Sequence, residues 1–172
     1  MIHYFSQTGN TKLLGDFLKD NINDSKTIYV GFWTDKGNAN QEALDYLKTL
    51  HHQKIFLFGT AGFGKSEEYF KRIINKVKES IDSTNEVVGS FMCQGKMPDS
   101  VLQRYLSLKE SDKAPKNIDL LIENATFSPP YTNSNGFMPL ASRLNFASSI
   151  ISSNIVLRFN CAVNRKLPLL PC

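Results

Sequence analysis

The residues best suited by type and spacing to do chemistry are Ser6-Gln7-Thr8-Gly9-Asn10-Thr11. They stand between a short apolar run, Ile2 to Phe5, and a stretch of helical periodicity. Three hydroxyls (Ser6, Thr8 and Thr11) and a succession of backbone N–H groups face the start of the coming helix. A helix N-terminus carries unpaired N–H donors and the positive end of the helix dipole, so it can hold an anion without a lysine. Gly9 permits a tight turn and brings backbone close to a ligand with no Cβ in between. The chemistry expected is capture of a phosphate. A ligand-free Ser/Thr cap is the alternative, and it needs one hydroxyl rather than three.

A second loop competes with the first. Gly59-Thr60-Ala61-Gly62-Phe63-Gly64-Lys65-Ser66 satisfies G-x-x-x-x-G-K-[ST], the phosphate-loop signature of nucleotide triphosphatases. It lies between an apolar run, Ile55 to Phe58, and a helical pattern from Ser66 to Ile81. Its setting is wrong for that role. Two strand–helix units precede it, few strands follow, and no later strand ends in an aspartate placed to hold Mg²⁺. Val87 to Met92 runs into Cys93, and Ile118 to Glu123 is a poor substitute. Ser66 is better read as the cap of the following helix, ahead of Glu67 and Glu68.

The elements that position these loops alternate. Apolar runs at Ile2–Phe5, Thr27–Phe32, Lys54–Gly59 and Glu86–Met92 read as strands. Between them come helical faces: Leu13, Leu14, Phe17, Leu18 and Ile22; Ala43, Leu44, Leu47 and Leu50; Tyr69, Phe70, Ile73, Ile74, Val77 and Ile81. Pro98 and Asp99 open a fourth, carrying Val101, Leu102, Tyr105 and Leu106. The expected class is α/β, a doubly wound parallel sheet with helices on both faces. Its strand order would be 2-1-3-4-5, counting the runs in chain order, with Ile155–Phe159 as an uncertain fifth. That order sets Ser6–Thr11 beside Gly59–Gly64, with Cys93-Gln94-Gly95-Lys96 next along the same edge. Three loops suited to backbone contact then converge on one crevice.

Composition narrows the functional classes. The 172 residues suit one domain. No stretch approaches the ~20 apolar residues of a membrane span, and no secretory signal is apparent. The three cysteines, Cys93, Cys161 and Cys172, are spaced for neither a disulfide framework nor a metal site, which points to a reducing, cytoplasmic setting. All 16 acidic residues and 16 of the 20 Lys and Arg lie within residues 1–123, whereas Arg143, Arg158, Arg165 and Lys166 follow with no acid. No basic stripe with interleaved aromatics supports nucleic-acid binding. His51-His52 sits at a helix end, where cations suit the dipole, and Cys93 reads as a small residue at a strand end. The domain expected is therefore 1–123. Residues 124–172 form an atypical tail that supplies a fifth strand, docks irregularly, or reflects an altered reading frame.

Four segments appear in order: Tyr4 to Thr11, Gly31-Phe32-Trp33-Thr34-Asp35-Lys36-Gly37, Phe56 to Gly62, and Phe91-Met92-Cys93-Gln94-Gly95-Lys96. Together they resemble the flavodoxin family, and within it a short BilS-like subfamily sometimes associated with bilirubin reductase. The likeness covers residues 1–123. Beyond it, the subfamily's His-Pro turn and acidic closing helix are missing. The resemblance implies noncovalent FMN, held by Ser6, Gln7, Thr8, Gly9, Asn10 and Thr11 at its phosphate. Thr60, Ala61, Gly62, Phe63 and Gly64 would supply contacts near the ring's N5, and Cys93, Gln94, Gly95 and Lys96 contacts at its pyrimidine edge. Phe63 and Trp33 are candidates to stack on the ring. The alternatives are a surface loop aromatic for Phe63 and strand-edge packing for Trp33, whose strand is expected on the far side from the ring. Lys96 near N1 and O2 would stabilise a reduced anionic flavin. The loop after the fourth strand lacks the tyrosine that often covers the flavin, and the domain is not strongly acidic; both argue against a very low potential.

The implied role is electron transfer between redox partner proteins, a flavin or iron–sulfur reductase on one side and an acceptor enzyme on the other. No catalytic residue or metal is required, since the flavin does the redox chemistry. Three alternatives remain on the same residues: an NAD(P)H-dependent flavin or quinone reductase, a P-loop nucleotide binder using Gly59–Ser66, and a module that has lost its flavin.

Overall fold

The computed structural model describes residues 1–22, 24–63 and 66–126. Its elements run β1 (Ile2–Tyr4), α1 (Asn10–Asn21), β2 (Thr27–Asp35), β3 (Asn38–Ala39), α2 (Gln41–Lys48), β4 (Lys54–Ala61), α3 (Glu67–Lys78), β5 (Glu86–Gln94), α4 (Asp99–Lys109) and α5 (Ile118–Thr126). The segment Ile155–Phe159 expected as a fifth parallel strand lies outside the described residues, as do Gly64 and Lys65.

Four strands pair in parallel along the path β1-β2-β4-β5, and β3 pairs with β2 antiparallel. The expected class holds: strands alternate with helices, and helices cover both faces. Alternation along β2 and β4 builds two cores. Val30, Phe32, Ile55 and Leu57 point to the face covered by α2 and α3, through Ala43, Leu44, Leu47, Ile73, Ile74 and Val77. Tyr29, Phe56 and Phe58 point to the other face, covered by α1 through Leu14 and Leu18. Of the periodic residues assigned to the second and third helical faces, Ala43, Leu44, Leu47, Ile73, Ile74 and Val77 are buried, and Leu50, Tyr69, Phe70 and Ile81 pack partly buried against the same core. On α4 no residue is buried, and Leu106 stays 39% exposed. That helix packs mainly on α5, which occupies the stretch Ile118 to Glu123 considered above as a weak strand.

The strand path differs from 2-1-3-4-5 in one place. The second run lies inside the sheet between β1 and β4, not outside β1. The physical reason is in its side chains: Tyr29, Val30 and Phe32 are all fully buried, on alternating faces, as a central strand requires. An edge position would leave one flank of this nine-residue strand unpaired. The three-residue β1 is the natural edge, being too short to offer a long unpaired ladder.

The path has a topological consequence. The steps β1-α1-β2 and β2-α2-β4 both advance one strand in the same direction, yet their helices lie on opposite faces. The two crossovers are therefore of opposite hand, although parallel crossovers are almost always right-handed. Beyond Asp35, a two-residue reversal carries the chain into β3. Lys36 (φ 47°) and Gly37 (φ 79°) both take positive φ, the pattern of a type I′ hairpin turn.

Close packing of β1 on β2 depends on Gly31. A Cβ there would fall 2.3 Å from Phe58 Cζ and 2.7 Å from Tyr4 Cβ. Gly31→Ala is expected to lower stability by about 1–3 kcal/mol, read as a reduced urea midpoint at unchanged m. Tyr29 supplies a pH signature. Burial, and then the neighbouring Asp24 carboxylate, push its hydroxyl well above the ordinary tyrosine range. The folded state thus favours neutral Tyr29; that stability is complete below about pH 10 and is lost as pH rises further. The alkaline fall in urea midpoint is expected to be shallower in Tyr29→Phe than in the wild type.

Candidate functional site

The carboxyl ends of the parallel strands carry the loops singled out above, and α1 begins among them. Gly9 caps α1 in the left-handed region (φ 85°, ψ −15°) and has no side chain of its own to accept from the first turn. Nothing lies within 4 Å of where a Cβ would stand, so glycine is required here by backbone conformation and not by crowding. The N–H groups of Asn10 and Thr11 have no partner among the described residues. Every other helix among the described residues has an acid in its first turn; α1 has none. This end is left open to an external anion.

The side chains of the loop divide into two groups. Ser6, Gln7 and Thr8 are exposed, and Ser6 Oγ accepts from the Lys12 N–H at 3.2 Å. Asn10 and Thr11 are buried. Thr11 Oγ1 lies 2.9 Å from Thr60 Oγ1 and donates to the Phe32 carbonyl at 3.4 Å. Its hydroxyl fastens α1 to the ends of β2 and β4 and is turned away from the surface. The Asn10 amide binds the backbone of Lys96 through both its polar atoms.

A cavity of about 580 Å³ opens beside this helix end, between Thr8, Gly9 and Asn10 on one wall and Lys96, Met97 and Pro98 on the other. Lys12, Leu13, Asp16 and Asp99 complete its lining. The structure thus brings Thr8–Asn10 and Lys96 to one cavity, while Trp33 and Thr60–Phe63 do not line it. Thr60 and Ala61 are buried beneath, and Gly95 N–H donates to the Ala61 carbonyl at 2.8 Å. Gln94, also buried, donates to the Gly62 carbonyl at 3.1 Å. Cys93 is half-buried against the α1-side core. Phe63 is partly exposed.

The strand path also relocates Trp33. The loop following β2 lies between the Ser6–Thr11 loop and the loop following β4, so Trp33 is on the near side of the site and not the far side. Trp33 pairs with Thr60 in the sheet register, and its carbonyl accepts from Asn40 N–H at 3.0 Å.

Electrostatics around the cavity are mixed. The Lys12 ammonium, and more weakly the Tyr4 hydroxyl at 2.9 Å, hydrogen-bond to Asp16 and hold it below the usual carboxylate range. Lys96 is exposed and pairs with Asp99 at 3.4 Å, so part of its charge is answered locally. Such exposed pairs contribute little to stability but do shape the local field. Asp16 and Asp99 carried no signal in the sequence, because i,i+4 and i,i+3 pairs with lysine are ordinary helix surface.

The Walker-like loop is occupied differently from a nucleotide site. Ser66 Oγ accepts from Tyr69 N–H at 3.3 Å and donates to Glu68 at 2.6 Å, and Glu67 and Glu68 occupy the first turn of α3. Its hydroxyl is a helix cap, and two carboxylates stand where phosphates would approach. Among the described residues no group of His, Cys, Asp or Glu is arranged to hold a metal, and no helix is long and apolar enough to cross a membrane.

Comparison with known proteins settles the ancestry. A flavodoxin-domain family profile matches residues 15–130. The chain belongs to the flavodoxin family. Members of this family bind flavin, transfer electrons and work with redox partner proteins. A flavodoxin-like domain-containing protein BilS from Clostridium symbiosum (strain WAL-14163) is 40% identical over 106 residues, covering 59% of this chain and 56% of that protein. A protein of the same name from Clostridioides difficile (strain CD3) is 32% identical over 124 residues, covering 61% of this chain and 70% of that one. The chain thus spans little more than half the length of the first of these flavodoxin relatives. A solved flavodoxin from the domain Archaea is similar over 72% of this chain and 94% of its own, at 17% identity and a TM-score of 0.38, too low to support any inference. The flavodoxin match begins after the Ser6–Thr11 loop, so the reading of that loop rests on its geometry.

The buried hydroxyl pair gives a direct test of how the loop is held. Thr11→Val strands the Thr60 hydroxyl and is expected to cost about 1–3 kcal/mol. Removing both hydroxyls, in Thr11→Val with Thr60→Val, is expected to recover part of that loss, measured as a double-mutant cycle by urea denaturation.

Proposed function

We propose that this chain binds FMN noncovalently and carries electrons between a reductase and an acceptor protein. The observation that supports the reading is the start of α1: a left-handed Gly9, the Asn10 N–H with no partner among the described residues, and the exposed Thr8 hydroxyl, with Thr8, Gly9 and Asn10 all lining one cavity. This donor set fits a phosphate monoester. Its donors are neutral, so it offers a dianion dipoles and N–H groups without the strong field of clustered lysines. Ser6, Thr8 and the N–H groups of Gly9 to Thr11 would hold the phosphate. Trp33 and the Thr60–Phe63 segment, on neighbouring strand ends, would serve the ring, with Gln94, Gly95 and Lys96 on the other side of the loop.

FMN, when bound, supplies one- or two-electron transfer, and the chain's own residues bind, orient and shield it. No acid–base pair or nucleophile is needed. Lys96, compensated by Asp99, would exert a reduced pull on negative charge nearby, so Lys96→Ala is expected to change the potential less than a free lysine would. The balanced charge of residues 1–123 supports docking to partners through shape more than through steering.

Titration of the purified protein with FMN, riboflavin and ATP tests the reading. Saturable quenching of FMN fluorescence is expected. In Thr8→Ala, FMN affinity should fall by about tenfold or more while riboflavin changes little, since a hydrogen bond to a charged group is lost. ATP binding without FMN binding, abolished in Lys65→Ala, would overturn it. Removing one of the cavity's two carboxylate charges in Asp16→Asn is expected to tighten FMN binding a few-fold, more so at low salt.

A further inference from the structure

We infer that Asn10 is a positioning residue that couples anion occupancy at the Ser6–Thr11 loop to the backbone of Lys96. The inference rests on the reading of that loop as an anion site and goes beyond it. Asn10 is 8% exposed, and its amide is fully engaged. One Nδ2 hydrogen goes to Thr8 Oγ1 at 2.8 Å and the other to the Lys96 carbonyl at 2.9 Å, while Oδ1 accepts the Lys96 N–H at 3.0 Å. A flipped amide would oppose donor to donor at Lys96, so the orientation is dictated by the peptide it faces. This clasp joins positions 86 residues apart in the chain.

The direction of donation matters. Lys96 N–H donates to Asn10 Oδ1, Asn10 N–H donates to Thr8 Oγ1, and Thr8 Oγ1, having accepted, keeps its own proton to donate elsewhere. Thr8 is exposed and borders the cavity, so its hydroxyl is placed to donate to an anion there. All three donors are aligned head to tail, the arrangement in which each hydrogen bond polarises the next. An anion accepting from Thr8 therefore strengthens the bond from Asn10 to Thr8, and through it the bond from Lys96 to Asn10. Packing agrees with this assignment: a Cβ at Gly95 would lie 2.8 Å from Asn10 Cγ, so glycine is required for the amide to reach its peptide. Gly95 N–H in turn bonds the Ala61 carbonyl at 2.8 Å, tying the clasp to the end of β4. Thr8 and Asn10 thus form the anion side of a relay whose other end is the loop entering α4.

The test is a titration of the ¹⁵N-labelled full-length chain with inorganic phosphate, and then with FMN, followed by amide NMR. In the wild type the Lys96 amide is expected to shift along the same isotherm as Thr8 and Gly9. In Thr8→Val and in Asn10→Asp the Lys96 response should disappear. The aspartate still offers an acceptor to Lys96 N–H, so protection of that amide from exchange should survive while the relay is cut. Asn10→Ala should lose both protection and response. A Lys96 shift that persists in Thr8→Val or Asn10→Asp would overturn the inference, as would a silent Lys96 in a wild type whose Thr8 and Gly9 respond. If no residue of the loop responds to phosphate or FMN, the anion reading itself falls, and the coupling with it.

Discussion

The burial of β2 on both faces is the constraint from which the rest of this molecule follows. A nine-residue strand with Tyr29, Val30 and Phe32 fully enclosed must lie between two other strands, and only β1 and β4 are available in parallel to flank it. Once it is there, α1 has to reach across its carboxyl end to meet β4. The Thr11–Thr60 hydroxyl contact and the Thr11 bond to the Phe32 carbonyl are the means of that crossing. The open end of α1 is consequently fixed relative to two strands at once.

Much of this was legible in the chain. The helical faces of α2 and α3 and the strand cores of β2 and β4 follow from periodicity, because burial on a helix stripe or on alternate strand positions leaves a repeat in the sequence. The order of the strands did not follow. Periodicity reports which faces are apolar and says nothing about neighbours. The right-handed crossover rule, which normally fills that gap, is broken by one of the first two connections here. The signal that would have corrected the order is the unbroken apolar run Thr27 to Trp33, too apolar for an edge beside the short, histidine-containing Ile2–Tyr4.

The site was half legible for a related reason. Ser, Thr, Asn and Gly at a strand–helix turn mark an anion cradle because helix ends need partners, and a reader of residue types sees that need. Which hydroxyls face outward is a matter of tertiary contact. Thr8 and Thr11 are alike in type and close in sequence, yet one borders the cavity and the other is locked beneath it. The position of Trp33 was misplaced together with its strand. Met97, whose Cε stands 3.0 Å from where a Gly62 Cβ would be, was invisible because a lone methionine carries no pattern.

The shortness of β1 carries a consequence for how the protein responds to its surroundings. Three residues in register with β2 give the N-terminal segment few ladder bonds, so it is the part of the sheet most readily peeled away. A ligand at the head of α1 would grip the chain just beyond that weak point and hold it shut. Cofactor supply and resistance to proteolysis would then be the same variable. Starved of such a ligand, the chain would expose its first strand to degradation; supplied with it, the protein would persist, and its abundance in a cell would follow that ligand.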